Sequence, residues 1–157
     1  MAAIALGMMV SGCNKNKDNN ASFDKNLNGV WGWNDTFVYN FDNGKYEFFL
    51  FGVLVKEGTY TTNDGIISFQ ASHTINSLYD NMIFEGMNYT YNDKKMYTKK
   101  EYEKLVREWG KKQKENLTEN DYATLVNLEF DTASTNYSVD VDKKEFYIDG
   151  VTHTKIK

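Results

Sequence analysis

The sequence predicts a mainly β fold: an antiparallel meander that closes into a small barrel or packs as a sandwich, with one amphipathic helix at about 98–115. Three observations lead there. Aromatic residues make up 15% of the 157 positions and there is no proline, a composition that suits pleated, half-buried surfaces and leaves long paired strands unbroken. Turn dipeptides separate alternating aromatic runs. One later stretch opens on a capping signature and spaces its apolar residues as a helix does.

The first hairpin is the clearest element. Phe37, Tyr39 and Phe41 share one face of residues 36–42, and Asn43-Gly44 follows, two positions suited to positive φ. A two-residue turn there pairs Phe41 with Tyr46, Tyr39 with Phe48, and Phe37 with Leu50, so turn chemistry and apolar register agree. A turn at Asp64-Gly65 pairs Tyr60 with Phe69 and Thr62 with Ile67, leaving Thr61 and Ser68 to face out together. A turn at Lys143-Lys144 pairs Val141 with Phe146 and Val139 with Ile148. Less regular strands are expected at 54–61, 82–91, 95–97, 125–130 and 151–156.

The helix begins at Thr98, which with Glu101 forms a capping box. Tyr102, Leu105, Val106 and Trp109 fall on one stripe, and Lys100, Glu103, Lys104, Arg107 and Glu108 make the opposite, solvated face. Val38, Phe49 and Phe51 give the first hairpin a second apolar face. The stripe around Trp109 is one candidate to cover it. If it does not, the exposed aromatics there would form a platform for sugars or a protein.

A chain of this length makes one domain that can bury roughly two thirds of its unfolded surface. The formal net charge of −4 and a single arginine, Arg107, argue against nucleic-acid binding, which needs basic surface to neutralise phosphates. One cysteine, Cys13, excludes an internal disulfide.

That cysteine ends the most specific motif of the chain. Residues 2–10 form an uncharged apolar run, too short to span a bilayer but of the length of a signal-peptide core. It leads into Val10-Ser11-Gly12-Cys13, which resembles the lipobox of bacterial lipoproteins. The resemblance implies a signal peptide over 1–12 and acylation of Cys13 with fatty acids such as palmitate. One acyl chain anchors only marginally at about 0.8 kcal/mol per methylene, so two or three make a lasting anchor. No Lys or Arg precedes Cys13, and a charged leader is expected upstream of Met1. Residues 13–26 are the lipidated cysteine and a polar tether, and 27–157 the β domain. The expected location is the cell envelope, extracytoplasmic, and the outer membrane in a Gram-negative cell, because Asn14 replaces the Asp associated with inner-membrane retention.

Gly29-Val30-Trp31 is similar to the Gly-x-Trp that opens lipocalin barrels, where the tryptophan packs across the barrel base. The aromatic strands about Asn43-Gly44, then Gly58-Thr59-Tyr60 and Asp64-Gly65, extend the likeness to lipocalin-like lipoproteins over residues 27–97. No arginine stands on a late strand to pack over Trp31, and the helix precedes the last strands, where a lipocalin's main helix follows its barrel. The resemblance implies a barrel interior lined by Phe37, Tyr39, Phe41, Tyr46, Phe48, Tyr60 and Phe69. Such an interior is either filled by these side chains or holds one small ligand.

Motifs for catalysis are missing: there is no nucleophile elbow, phosphate loop, dinucleotide fingerprint or His-Glu-x-x-His. His73 and His153 have no second ligand at metal spacing. Asp140 and Asp142 start like a calcium loop, but Lys144 takes the next ligand position. No enzyme activity, cofactor or metal is expected. The expectation is a lipid-anchored binding protein holding a small apolar ligand inside the barrel. The alternative is a surface module for a protein or glycan, with a filled core.

Overall fold

The computed structural model describes residues 22–86, 88–113 and 116–157. Cys13, the signal peptide and the tether up to residue 21 lie outside them. A 3-10 turn, Lys25–Leu27, leads into β1 (Gly29–Trp33), β2 (Phe37–Asp42), β3 (Lys45–Leu50), β4 (Val53–Asn63) and β5 (Ile66–Ile75). Then come β6 (Met82–Glu85), β7 (Asn88–Tyr91), β8 (Met96–Thr98), α1 (Lys99–Gln113) and α2 (Glu119–Phe130). The chain finishes with β9 (Ala133–Asp140), β10 (Glu145–Ile148) and β11 (Val151–Lys155).

Eight strands close a lipocalin-like antiparallel barrel in the order β4-β3-β2-β1-β11-β10-β9-β5, with β5 pairing back onto β4. Closure removes the open edges that would otherwise invite association. The first and last barrel strands meet at β1 and β11, where the Val30 N–H donates to the Lys157 carbonyl and the Ile156 N–H to that of Val30. The eight barrel strands, the main core and both helices lie within the described residues from 22 to 157. Residues 76–132 are an insertion between β5 and β9: β8 extends β5, β6 and β7 form a separate hairpin, and the two helices follow.

Both aromatic hairpins take the register their turns dictate. Phe41 faces Tyr46, Tyr39 faces Phe48, and Phe37 faces Leu50. Tyr60 faces Phe69 and Thr62 faces Ile67. Asn43-Gly44 and Asp64-Gly65 all have positive φ, the mirror-image turn that matches strand twist. Gly58 has a different reason. A Cβ there would stand 2.0 Å from the Gln70 carbonyl, because a register shift brings β4 and β5 into close approach.

The closed end carries the main core: Leu27, Trp31, Phe41, Tyr46, Tyr60, Ile67, Phe146 and Ile148. Burying each such side chain contributes roughly 1.5–3 kcal/mol. The Trp31 indole N–H donates to the Leu27 carbonyl at 2.6 Å, so the ring is fixed across the base. Ser22–Asn26, read from composition as tether, are part of this end. Ser22 exchanges hydrogen bonds with Thr62, and the Phe23 ring packs edge-on against Tyr60 at 6.0 Å. One aromatic side chain is enough to tie down an otherwise polar segment.

Four expectations need correction. Residues 125–130 are helical, the second half of α2, not a strand. Val126 and Phe130, four apart, are buried while Leu128 is 73% exposed, a helical spacing that the run Val126, Leu128, Phe130 disguises as alternation. A capping box of Thr118 and Asp121 starts this helix. The β9–β10 turn is four residues long, so Val139 pairs with Phe146 and Tyr137 with Ile148. Faces are kept by this two-residue slip, and Val141 is left 58% exposed. The α1 stripe packs against α2, β5 and β8, away from the Val38–Phe49 face, where Ile156 lies over Gly32 beside Val38. Arg107 is no free surface cation: it forks onto both Glu119 oxygens at 2.9 and 2.7 Å and lies over the Tyr122 ring, clamping α1 to α2.

Candidate functional site

The half of the barrel away from Trp31 contains a cavity of about 510 Å³. Strand alternation places its floor. Tyr39 of β2, Tyr46 and Phe48 of β3, and Phe69 of β5 all point inward. Tyr39 stacks on Phe48 at 4.7 Å and on Phe69 at 5.9 Å, and Phe69 meets Tyr46 edge-on at 4.9 Å. Val55, Ile75 and Tyr91 form an apolar side wall where the β6–β7 hairpin packs against the barrel.

Polar groups gather at the opposite side, where the insertion meets the barrel. Glu129, near the end of α2, accepts from Lys56 Nζ at 2.8 Å, from the Thr74 hydroxyl at 3.2 Å and from the Ser77 hydroxyl at 2.7 Å. Ser77 also shares a hydrogen bond with the Tyr102 hydroxyl of α1. Burial opposes the charge on Glu129. The Lys56 ammonium and the hydrogen bonds from Lys56, Ser77 and Thr74 outweigh it, and the carboxyl is held below its usual range. Asp149, in the β10–β11 turn, lines the same cavity and accepts from the Thr135 hydroxyl at 2.6 Å. Burial, and next the charge of Asp149, push the Tyr39 phenol up to about 12. Tyr46 is raised further, by burial first and then by Tyr39 and Glu129. Both phenols are therefore neutral hydrogen-bonding groups at physiological pH.

Of the seven residues assigned to the interior by sequence, Tyr39, Tyr46, Phe48 and Phe69 line the cavity. Phe41 and Tyr60 do not: they lie nearest the closed-end turns and belong to the filled core. Phe37 is stacked between Trp33 at 5.6 Å and Phe48 at 6.1 Å, backing the wall. The interior is thus filled at one end and hollow at the other. Lys56, Thr74, Ser77, Glu129 and Asp149 were not anticipated. Only the Thr118-x-x-Asp121 cap, which reveals α2, offered a signal, since a helix over 119–130 puts Glu129 beside the buried Val126 and Phe130.

The histidines are apart from the cavity lining. His73 pairs with Glu57 at 2.9 Å on the surface, and His153 is buried between the Tyr39 and Phe146 rings. Asp140 accepts from the Lys143 amide and ammonium in the β9–β10 turn. Among the described residues no cluster of His, Cys, Asp or Glu is arranged to hold a metal ion. No family model, no curated protein and no solved structure matches this chain.

Proposed function

We propose that this protein is a lipid-anchored, extracytoplasmic binding protein that holds one small ligand with an apolar body in the open half of its barrel. The cavity of about 510 Å³ with its floor of Tyr39, Tyr46, Phe48 and Phe69 carries the reading. Its size falls in the range of small-molecule sites, and its pattern of apolar wall with a few grouped polar side chains is theirs as well. The surface-module alternative requires a filled interior and open aromatics. The cavity argues against the first requirement. On the second, Trp109 is packed among the helix side chains and edge-on to Tyr79, whereas Trp33 on β1 is exposed.

Anchoring through Cys13 is part of the proposal, supported by the Val10–Cys13 motif. The chain enters the fold at Ser22 on the closed end, beside Phe23 and Tyr60. A tether from Cys13 would then enter the fold at the closed end, opposite the cavity.

Titration of residues 22–157 with a neutral apolar fluorophore, N-phenyl-1-naphthylamine, tests the cavity. Saturable binding is expected, weakened at least about tenfold by Phe48→Asp, which places a charge on the apolar floor. Circular dichroism confirms that the variant is folded. Binding that is absent, or indifferent to Phe48→Asp in a folded variant, contradicts the reading.

A further inference from the structure

We propose that the cavity selects a cationic amphiphile, a positively charged head on an apolar body, and that Asp149 is the residue that reads the charge. This rests on the cavity holding a ligand at all. Three charged side chains line it: Lys56, Glu129 and Asp149. Two of them are spent on each other. Lys56 is paired with Glu129 at 2.8 Å, and both Glu129 oxygens already accept hydrogen bonds, from Ser77 on one and from Lys56 and Thr74 on the other. An anionic head would find no unspent ammonium there and would have to break that pair.

Asp149 is different. One of its oxygens accepts from the Thr135 hydroxyl at 2.6 Å, which fixes the side chain. The other has no partner among the described residues. Its backbone is placed by the buried Ile148 before it and by the tight Asp149-Gly150 turn, with positive φ at both residues. Asp149 is solvent-exposed where it lines the cavity, and its charge adds to burial in raising the Tyr39 phenol.

The rest of the lining suits a cation as well. Tyr39, Tyr46, Phe48, Phe69 and Tyr91 surround the space with aromatic rings, whose negative faces attract an ammonium and most of all one that is weakly hydrated. An alkyl or aryl body fits against Val55 and Ile75, with the head towards Asp149. A net charge of −4 on the chain adds to the same preference.

The test is displacement of bound N-phenyl-1-naphthylamine from residues 22–157 by three ten-carbon probes: decyltrimethylammonium, decanol and decanoate. The ammonium is expected to displace the fluorophore at a concentration at least about tenfold lower than decanoate. Asp149→Asn should remove most of that difference and leave decanol unchanged, since Asn keeps the turn geometry and the Thr135 bond. Asp64→Asn, the same charge change in an equivalent turn at the closed end, should keep the difference. Equal or tighter displacement by decanoate overturns the proposal, as does a preference that survives Asp149→Asn or is lost equally in Asp64→Asn. If the fluorophore itself does not bind, the carrier reading fails and this proposal with it. Binding of fluorophore and decanol without a cation preference overturns only the proposal.

Discussion

Lys155, on the strand that closes the barrel, holds its ammonium 5.1 Å above the centre of the Trp31 ring on the first strand. The two residues are direct partners across the β1–β11 seam, and the same ammonium donates to the Asn28 carbonyl at 2.9 Å. A cation therefore covers the base tryptophan although no arginine is available for the place.

Removing that cation should loosen the closed end. Lys155→Ala is expected to cost about 1 kcal/mol, seen as a fall of roughly 3 °C in Tm for a domain of this size. Lys155→Arg should restore most of it, because a guanidinium stacks on an indole at least as well. Thermal melts of the three proteins make the comparison.

His153 predicts a loss of stability at mildly acid pH. It is 3% exposed, enclosed by the Tyr39 ring at 5.5 Å and the Phe146 ring at 5.7 Å. Burial lowers its pKa, and the nearby Val151 and Phe146 backbone only partly offsets this. Between that lowered value and about 6.5 the unfolded chain binds the proton and the folded one does not, so stability falls as pH drops below about 6.5. Urea midpoints at pH 7.5 and 5.5 should show this fall, and His153→Phe should reduce it.

Glu129 acts in a lower window. Its folded pKa is held below the usual range, so the pair with Lys56 contributes above the unfolded value near 4.3 and is lost as pH falls through the folded one. With side chains 29% and 20% exposed, the pair is only partly screened. Glu129→Gln is expected to cost about 1–2 kcal/mol at pH 7. That deficit should shrink as the pH is lowered through the folded value, where the wild-type carboxyl loses its charge. A deficit that stays constant across the range would mean that packing of α2, not charge, explains it.

Local chemistry made much of the barrel legible. Asn43-Gly44 and Asp64-Gly65 specify turn and register together, so both aromatic hairpins follow from the residues alone. The Thr98–Glu101 box did the same for the start of α1, where the Thr98 amide and hydroxyl both donate to the Glu101 carboxylate. Lys143-Lys144 carries no such specification, and there the register slipped by two residues. The candidate site was legible by halves. Its apolar floor lies on strands with clean alternation. Its polar side is made by Lys56 with Glu129, far apart in sequence and set by how the insertion folds back on the barrel, and by Thr135 with Asp149, brought together where β9 runs beside the β10–β11 turn; no local pattern announces either. Phe41 and Tyr60 show a further limit: alternation says which face a residue takes, not how deep along the barrel it lies.

Native mass spectrometry of the protein purified from its own host tests the central claim most directly. The account predicts a bound species of small-molecule mass that is lost on denaturation, and lost or reduced in a folded Phe48→Asp variant. A clean mass of the protein alone, repeated under gentler extraction and unaltered by Phe48→Asp, would contradict the claim that the open half of the barrel is a ligand site.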